Sequence, residues 1–161
     1  MATTIKLRSS TPHDTKWLEE LMNRDWGGLP LVIREKKYYP ASLDGIIAEN
    51  ENGILGFLFY EVRDQDCEII VFEIFDKFKG TGTQLLDKLK VIATNKKCRR
   101  LYLMTTNDNL DALRFYQKRG FHICGIHIDS VKLSRKIKPT IGMTGDHGIP
   151  VRDEIDLEFL L

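Results

Sequence analysis

Lys77-Phe78-Lys79-Gly80-Thr81-Gly82-Thr83-Gln84-Leu85-Leu86 follows the apolar run Ile69-Ile70-Val71-Phe72-Glu73-Ile74-Phe75 and leads into Leu89, Ile92 and Ala93. The run reads as a buried strand, and the apolar spacing beyond the glycines reads as a helix. A glycine-rich turn from strand into helix gathers backbone N–H groups and the positive helix end at one point. Phosphates bind at such points. Lys77 and Lys79 add charge, and Gly80 and Gly82 let an oxygen-rich group approach the backbone.

Working outward, Asp64-Gln65-Asp66 marks a turn into that strand. Ile46-Ile47-Ala48 and Ile54 to Val62 read as two strands joined at Asn52-Gly53, a pair that tolerates positive φ. Upstream, Thr4 to Arg8 alternates as a strand. Thr11, Pro12 and Asp14 then open a helix that carries Trp17, Leu18, Leu21 and Met22 to about Asp25. Residues 29 to 42 suit either a packed connection or a short helix. Downstream come a strand at Arg100 to Thr105, a helix at Asn109 to Arg119 stopped by Gly120, and a strand at Phe121 to Val131 with Gly125 as a bulge. A basic connection from Lys132 to Pro150 leads to a last strand, Ile155 to Leu161. In that strand Ile155, Leu157, Phe159 and Leu161 form the buried face, and Glu154, Asp156 and Glu158 point to solvent. This order predicts an α/β fold: a mixed, mostly antiparallel central sheet of about six to seven strands flanked by helices. No linker or repeat divides residues 1–161, so a single domain is expected.

Composition narrows the function. Lys and Arg total 24 against 23 Asp and Glu, so no global field draws the chain to nucleic acid or an anionic membrane. The N-terminal residues lack the apolar core of a signal peptide, and no apolar run approaches the roughly 20 residues that span a bilayer. Cys67, Cys98 and Cys124 form no CxxC pair, which fits reduced thiols in the cytoplasm. His13, His122, His127 and His147 show no metal-ligand spacing, so no metal is expected. Ser134-Arg135-Lys136-Ile137-Lys138 reads as a solvated basic loop.

A second motif lies about 30 residues past the glycine loop: Thr105-Thr106-Asn107-Asp108-Asn109-Leu110-Asp111-Ala112-Leu113-Arg114-Phe115-Tyr116-Gln117-Lys118-Arg119-Gly120-Phe121. Together, in this order and spacing, the two motifs resemble the GNAT superfamily of acyl-CoA-dependent N-acetyltransferases over about residues 67 to 125. The family loop reads Gln/Arg-x-x-Gly-x-Gly/Ala. Gly80 and Gly82 match it, and Lys77 stands where Gln or Arg is usual, keeping the charge without the planar fork.

The resemblance implies acetyl-CoA as cosubstrate. Its pyrophosphate would lie on Lys77, Phe78, Lys79, Gly80, Thr81, Gly82 and Thr83, and its pantetheine arm beside Phe72, Glu73 and Ile74 as an added strand. Asn109 and Ala112 would help fix it; Asn109 would equally serve as a helix cap. Tyr116 would assist departure of the thiolate, since a phenol is protonated at neutral pH; without the resemblance it reads as core. Glu73, a carboxylate in an apolar strand with the parity of Ile69, Val71 and Phe75, would act as base for the acceptor ammonium or else as a structural carboxylate.

On the acceptor side, Trp26 lies in the segment that shapes the pocket in similar proteins, and Asp153 shares the buried parity of the last strand at its mouth. Each has a plainer alternative, loop packing and a solvated strand end. The expected reaction is direct acetyl transfer to a primary amine, of a small molecule first. A protein lysine or N-terminal acetyltransferase and a non-catalytic acyl-CoA sensor are the alternatives. A second copy of the chain, as a homodimer, is the remaining partner left open.

Overall fold

The computed structural model describes residues 4–77 and 79–161. Among the described residues, nine strands, seven of them in a mostly antiparallel sheet, and four α-helices give the α/β class that the sequence predicts. The chain forms two compact units, residues 1–18 with 40–101 and 161, and residues 19–39 with 102–160.

In the first unit the strands run β1 (Lys6–Ser9), β4 (Asp44–Asn50), β5 (Gly53–Arg63) and β6 (Asp66–Ile74) in spatial order, each antiparallel to the next. One face carries Ile47, Phe57, Phe59 and Val71, all essentially inaccessible to solvent. Trp17 of α1 (Thr15–Asp25) meets Phe57 edge-on at 5.5 Å, so this is the α1 face. α2 (Thr81–Asn95) packs on β4, β5 and β6 through Leu85, Leu86, Leu89 and Ala93. Lys96, just past α2, reaches Asp44 at 3.7 Å, and Asp44 shares parity with Ile46 and Ala48, on the other face. Burying one such Leu or Phe contributes about 1.5–3 kcal/mol, which is why these helical and strand periods persist.

Entry into α1 is fixed by Asp14, which is buried. Its carboxylate accepts hydrogen bonds from Nη1 and Nη2 of Arg8 at 2.9 Å, the Thr11 N–H at 2.8 Å and the Trp17 indole N–H at 2.9 Å. Chiefly the Arg8 hydrogen bonds hold Asp14 far below the ordinary carboxylate range.

In the second unit the order is β7 (Arg100–Thr106, whose first two residues belong to the first unit), β9 (Glu154–Leu160) and β8 (His122–His127). α3 (Leu110–Gln117) packs near β8, and Gly120 follows it at φ +89°.

Several boundaries differ from the sequence reading. Residues 29 to 42 contain a hairpin, β2 (Leu31–Ile33) and β3 (Lys36–Tyr38), turning at Arg34 and Glu35 with φ +49° and +63°. Neither residue type signals such a turn, which is why composition hid it. The β4–β5 turn centres on Glu51 and Asn52, and only Gly53 takes positive φ, at +128°. The strand expected to reach Val131 ends at His127, and the basic stretch after it is α4 (Val131–Ile137), not a loop. Its buried positions are Val131 and Ser134, followed by Lys138, a helical spacing whose polar members mask the apolar stripe.

Candidate active site

The glycine loop has the geometry the sequence predicts. Gly80 caps α2 in the left-handed region, φ +88°, and among the described residues a Cβ placed there would meet nothing within 4 Å. No acidic residue stands in the first turn of α2, and the Gln84 N–H closes the first helical bond onto Gly80 O at 3.1 Å. The first-turn amides of any helix lie ahead of its own acceptors and attract anions. Lys77 and Lys79 are exposed beside it, while Thr81 and Gly82 are buried. Phe78 lies outside the described residues.

One loop contact was not anticipated. Thr81 Oγ1, fully buried, donates to Asp76 Oδ2 at 2.9 Å, tying the end of the strand to the first residue of the helix. The other oxygen, Oδ1, is also shut off from solvent and meets no donor among the described residues. An aspartate between the apolar strand and the glycine loop was the available signal.

β6 carries the neighbouring candidates. Phe72, Glu73 and Ile74 are half-buried and stand opposite Leu58, Phe57 and Gly56 of β5. A bulge at Ile70 shifts the register, so Ile69 pairs with Tyr60 and falls on the opposite face from Val71 and Glu73. The expected parity of Glu73 with Ile69 is thereby corrected. Glu73 keeps the face of Phe57 and Val71, the α1 face, and Phe75 follows on the same side with its ring 6.0 Å from that of Phe57.

In the second unit, Asn109 caps α3: its Oδ1 accepts the Ala112 N–H at 3.1 Å. Tyr116 lies one helical turn beyond Ala112 and is only 5% exposed. The rings of Phe115 and Phe121 meet it edge-on, each at 5.2 Å, and burial alone pushes its phenol well above the ordinary range. Its hydroxyl therefore stays protonated at physiological pH.

The acceptor-side candidates fare unevenly. Trp26 stands at the edge of exposure, and its carbonyl accepts Lys138 Nζ at 2.9 Å, as does that of Gly28. Lys138 is buried, and desolvation lowers its pKa. Asp153 accepts the Asp129 N–H at 2.8 Å and pairs with Arg152 at 3.2 Å, so it fixes the chain between β8 and α4. Asn107 reinforces this segment, its Oδ1 accepting the N–H groups of Arg152 and Asp153 at 2.9 and 3.0 Å.

The polar face of β9 departs from expectation. Glu154 is 3% exposed rather than solvated, and it accepts from Ser134 Oγ at 3.3 Å and the Arg34 N–H at 3.4 Å. Asp156 bridges Arg34 Nη2 and His127 Nε2, both at 2.7 Å. Period-2 alternation cannot foresee this, because α4 and the β2–β3 hairpin supply the polar partners that cover the second face. Among the described residues no group of His, Cys, Asp and Glu is arranged to hold a metal.

Comparison with known proteins agrees with this fold. The model of the acetyltransferase (GNAT) family matches residues 8–121. The uncharacterized protein YdhI of Bacillus subtilis is 37% identical over 139 residues, covering 86% of this chain and 87% of that protein. A GNAT family acetyltransferase from Elizabethkingia anophelis, solved with acetyl-CoA bound, superposes with a TM-score of 0.69 at 25% identity, covering 98% of each chain. An IAA acetyltransferase from Bacillus cereus shares the fold, with a TM-score of 0.75 at 20% identity over 98% of this chain and all of that one. The chain belongs to the GNAT acetyltransferase family. It is an acyl-CoA-dependent acetyltransferase that uses acetyl-CoA as cosubstrate and an amine as acceptor.

Proposed function

We propose that the chain, working as one catalytic domain over 1–161, transfers acetyl from acetyl-CoA to the primary amine of a small molecule. The observation that carries the donor half is the left-handed Gly80 cap, clear of the other described residues, on an α2 that has no acid in its first turn. Lys77, Lys79, Gly80, Thr81, Gly82 and Thr83 would hold the pyrophosphate there, with Lys77 acting as a point charge rather than a fork. Acetyl-CoA supplies an activated thioester.

Glu73 accepts a proton from the acceptor ammonium, directly or through water, and leaves the amine free to attack. The backbone at Phe72, Glu73 and Ile74 orients the pantetheine arm as an added strand. Asn109 and Ala112 position the start of α3, and Tyr116 donates to the departing sulfur. Burial keeps the phenol protonated, so its hydroxyl can hydrogen-bond to the developing thiolate.

Support for a small acceptor comes from the second unit. The segment from Trp26 to Tyr38 is held at its start by Lys138 on the Trp26 and Gly28 carbonyls and at its hairpin turn by Arg34 on Asp156. A strapped hairpin suits a closed acceptor site better than an open peptide groove. Trp26 and Asp153 would border it. Buried Cys67, with its thiol pushed up to about 12 by desolvation, fits a reducing cytoplasm. The test is thiol release from acetyl-CoA across polyamines, amino acids, aminoglycosides and peptides. Turnover with a small amine and none with peptides is expected; turnover confined to peptides would reverse the acceptor assignment.

A further inference from the structure

We infer that β8 is a homodimer interface, pairing antiparallel with β8 of a second copy of this chain. β8 is the outer strand of the β7-β9-β8 order, and it contains neither proline nor lysine to blunt its edge. Its sequence is His122-Ile123-Cys124-Gly125-Ile126-His127, which reads the same from either end apart from the central pair.

The bulge turns this palindrome into geometry. His122 stands opposite Glu158, Ile123 opposite Leu157, Gly125 opposite Asp156, Ile126 opposite Ile155 and His127 opposite Glu154. Cys124 is the extra residue, so Cys124 and Gly125 together occupy one position. Five positions result. Ile123 and Ile126 share one face, and His122, Gly125 and His127 share the other. In a regular strand two residues three apart would lie on opposite faces.

A two-fold axis through the bulge then places Ile123 against the partner's Ile126 and Ile126 against the partner's Ile123. Four isoleucines meet on one face of a continuous sheet. Ile123 and Ile126 are 42% and 60% exposed in the single chain, so the pairing buries apolar surface that the described residues leave open to solvent. On the other face each imidazole already has a carboxylate beneath it, His122 on Glu158 at 3.1 Å and His127 on Asp156 at 2.7 Å. Bringing His122 beside the partner's His127 therefore adds no unbalanced charge.

A central bulge would throw a straight foreign strand out of register. A second copy carries the same bulge at the same point, and an isologous contact of this kind closes without leaving an edge. The interface is independent of the acetyl-transfer chemistry.

Analytical ultracentrifugation at about 50 µM tests it, a concentration suited to a modest interface. The wild type is expected to be a dimer, and Ile126→Lys, at an exposed position, to raise the dissociation constant at least about tenfold while keeping its melting temperature. An Ile123→Cys, Ile126→Cys variant in a Cys124→Ser background should form an intermolecular disulfide on mild oxidation. A monomeric wild type, or a dimer that survives Ile126→Lys and gives no cross-link, overturns the assignment.

Discussion

Thr81→Val separates the loop's own architecture from the charges it carries. Valine fills nearly the volume of threonine but removes the hydroxyl that donates to Asp76 Oδ2 at 2.9 Å. Asp76 Oδ1 already meets no donor among the described residues, so the substitution also deprives the second oxygen of its hydroxyl donor in a place closed to solvent. Hydrogen bonds to charged groups are worth about 1.5–3 kcal/mol, and a loss of about 2 kcal/mol is expected here. For a chain of this size that lowers the melting temperature by about 4–8 °C. The bond also joins the end of the β6 segment to the start of α2, so losing it loosens residues proposed to hold the phosphates before binding. If ordering them costs about 1 kcal/mol, coenzyme A affinity falls about fivefold. Differential scanning fluorimetry and calorimetric titration with coenzyme A read the two effects. The double variant Asp76→Ala, Thr81→Val should recover part of the stability, because no buried carboxylate then remains. An unchanged melting temperature and affinity in Thr81→Val would refute the clamp.

Gly80→Ala should cost about 1 kcal/mol of stability from its left-handed backbone alone, and more than that in coenzyme A affinity, because the new methyl points into the open space before α2. Titration calorimetry beside thermal melts separates the two. Acid titration of stability should show a loss beginning near pH 4. Asp14, held low by Arg8, and Asp66, held at about 2 by Arg100 and Arg99, contribute stability above their unfolded pKa and lose it as pH falls through the folded values. Asp14→Asn should flatten that acid limb, while a variant that melts with the wild-type pH dependence would remove Asp14 from the account. Lys138→Met should leave the Trp26 and Gly28 carbonyls without their donor and speed tryptic cutting at Arg34 to Lys37, followed by mass spectrometry.

The turn from β6 into α2 and the start of α3 were legible because their devices are local. A strand, glycines and a helix start lie within consecutive residues, and both Gly80 at φ +88° and the Asn109 cap follow from residue type and position. The Ile70 bulge was not legible, since nothing in a run of Ile and Val marks where one residue drops out of register. The acceptor side was obscured for a different reason. Glu154 and Asp156 alternate with apolar residues as a solvated face should, yet Arg34, Ser134 and His127 arrive from distant segments to partner them. Arg34 and Glu35 turn a hairpin without glycine or asparagine, and Lys138 is buried by hydrogen-bonding two carbonyls rather than by any pattern of its own. Long-range polar satisfaction leaves little periodic trace in a sequence.

The role of Tyr116 tests the account most directly. Tyr116→Phe keeps the ring between Phe115 and Phe121 and deletes only the proton donor. Turnover should fall about 10²-fold or more, with coenzyme A affinity within about twofold of the wild type. A variant that turns over at the wild-type rate would contradict the acid role.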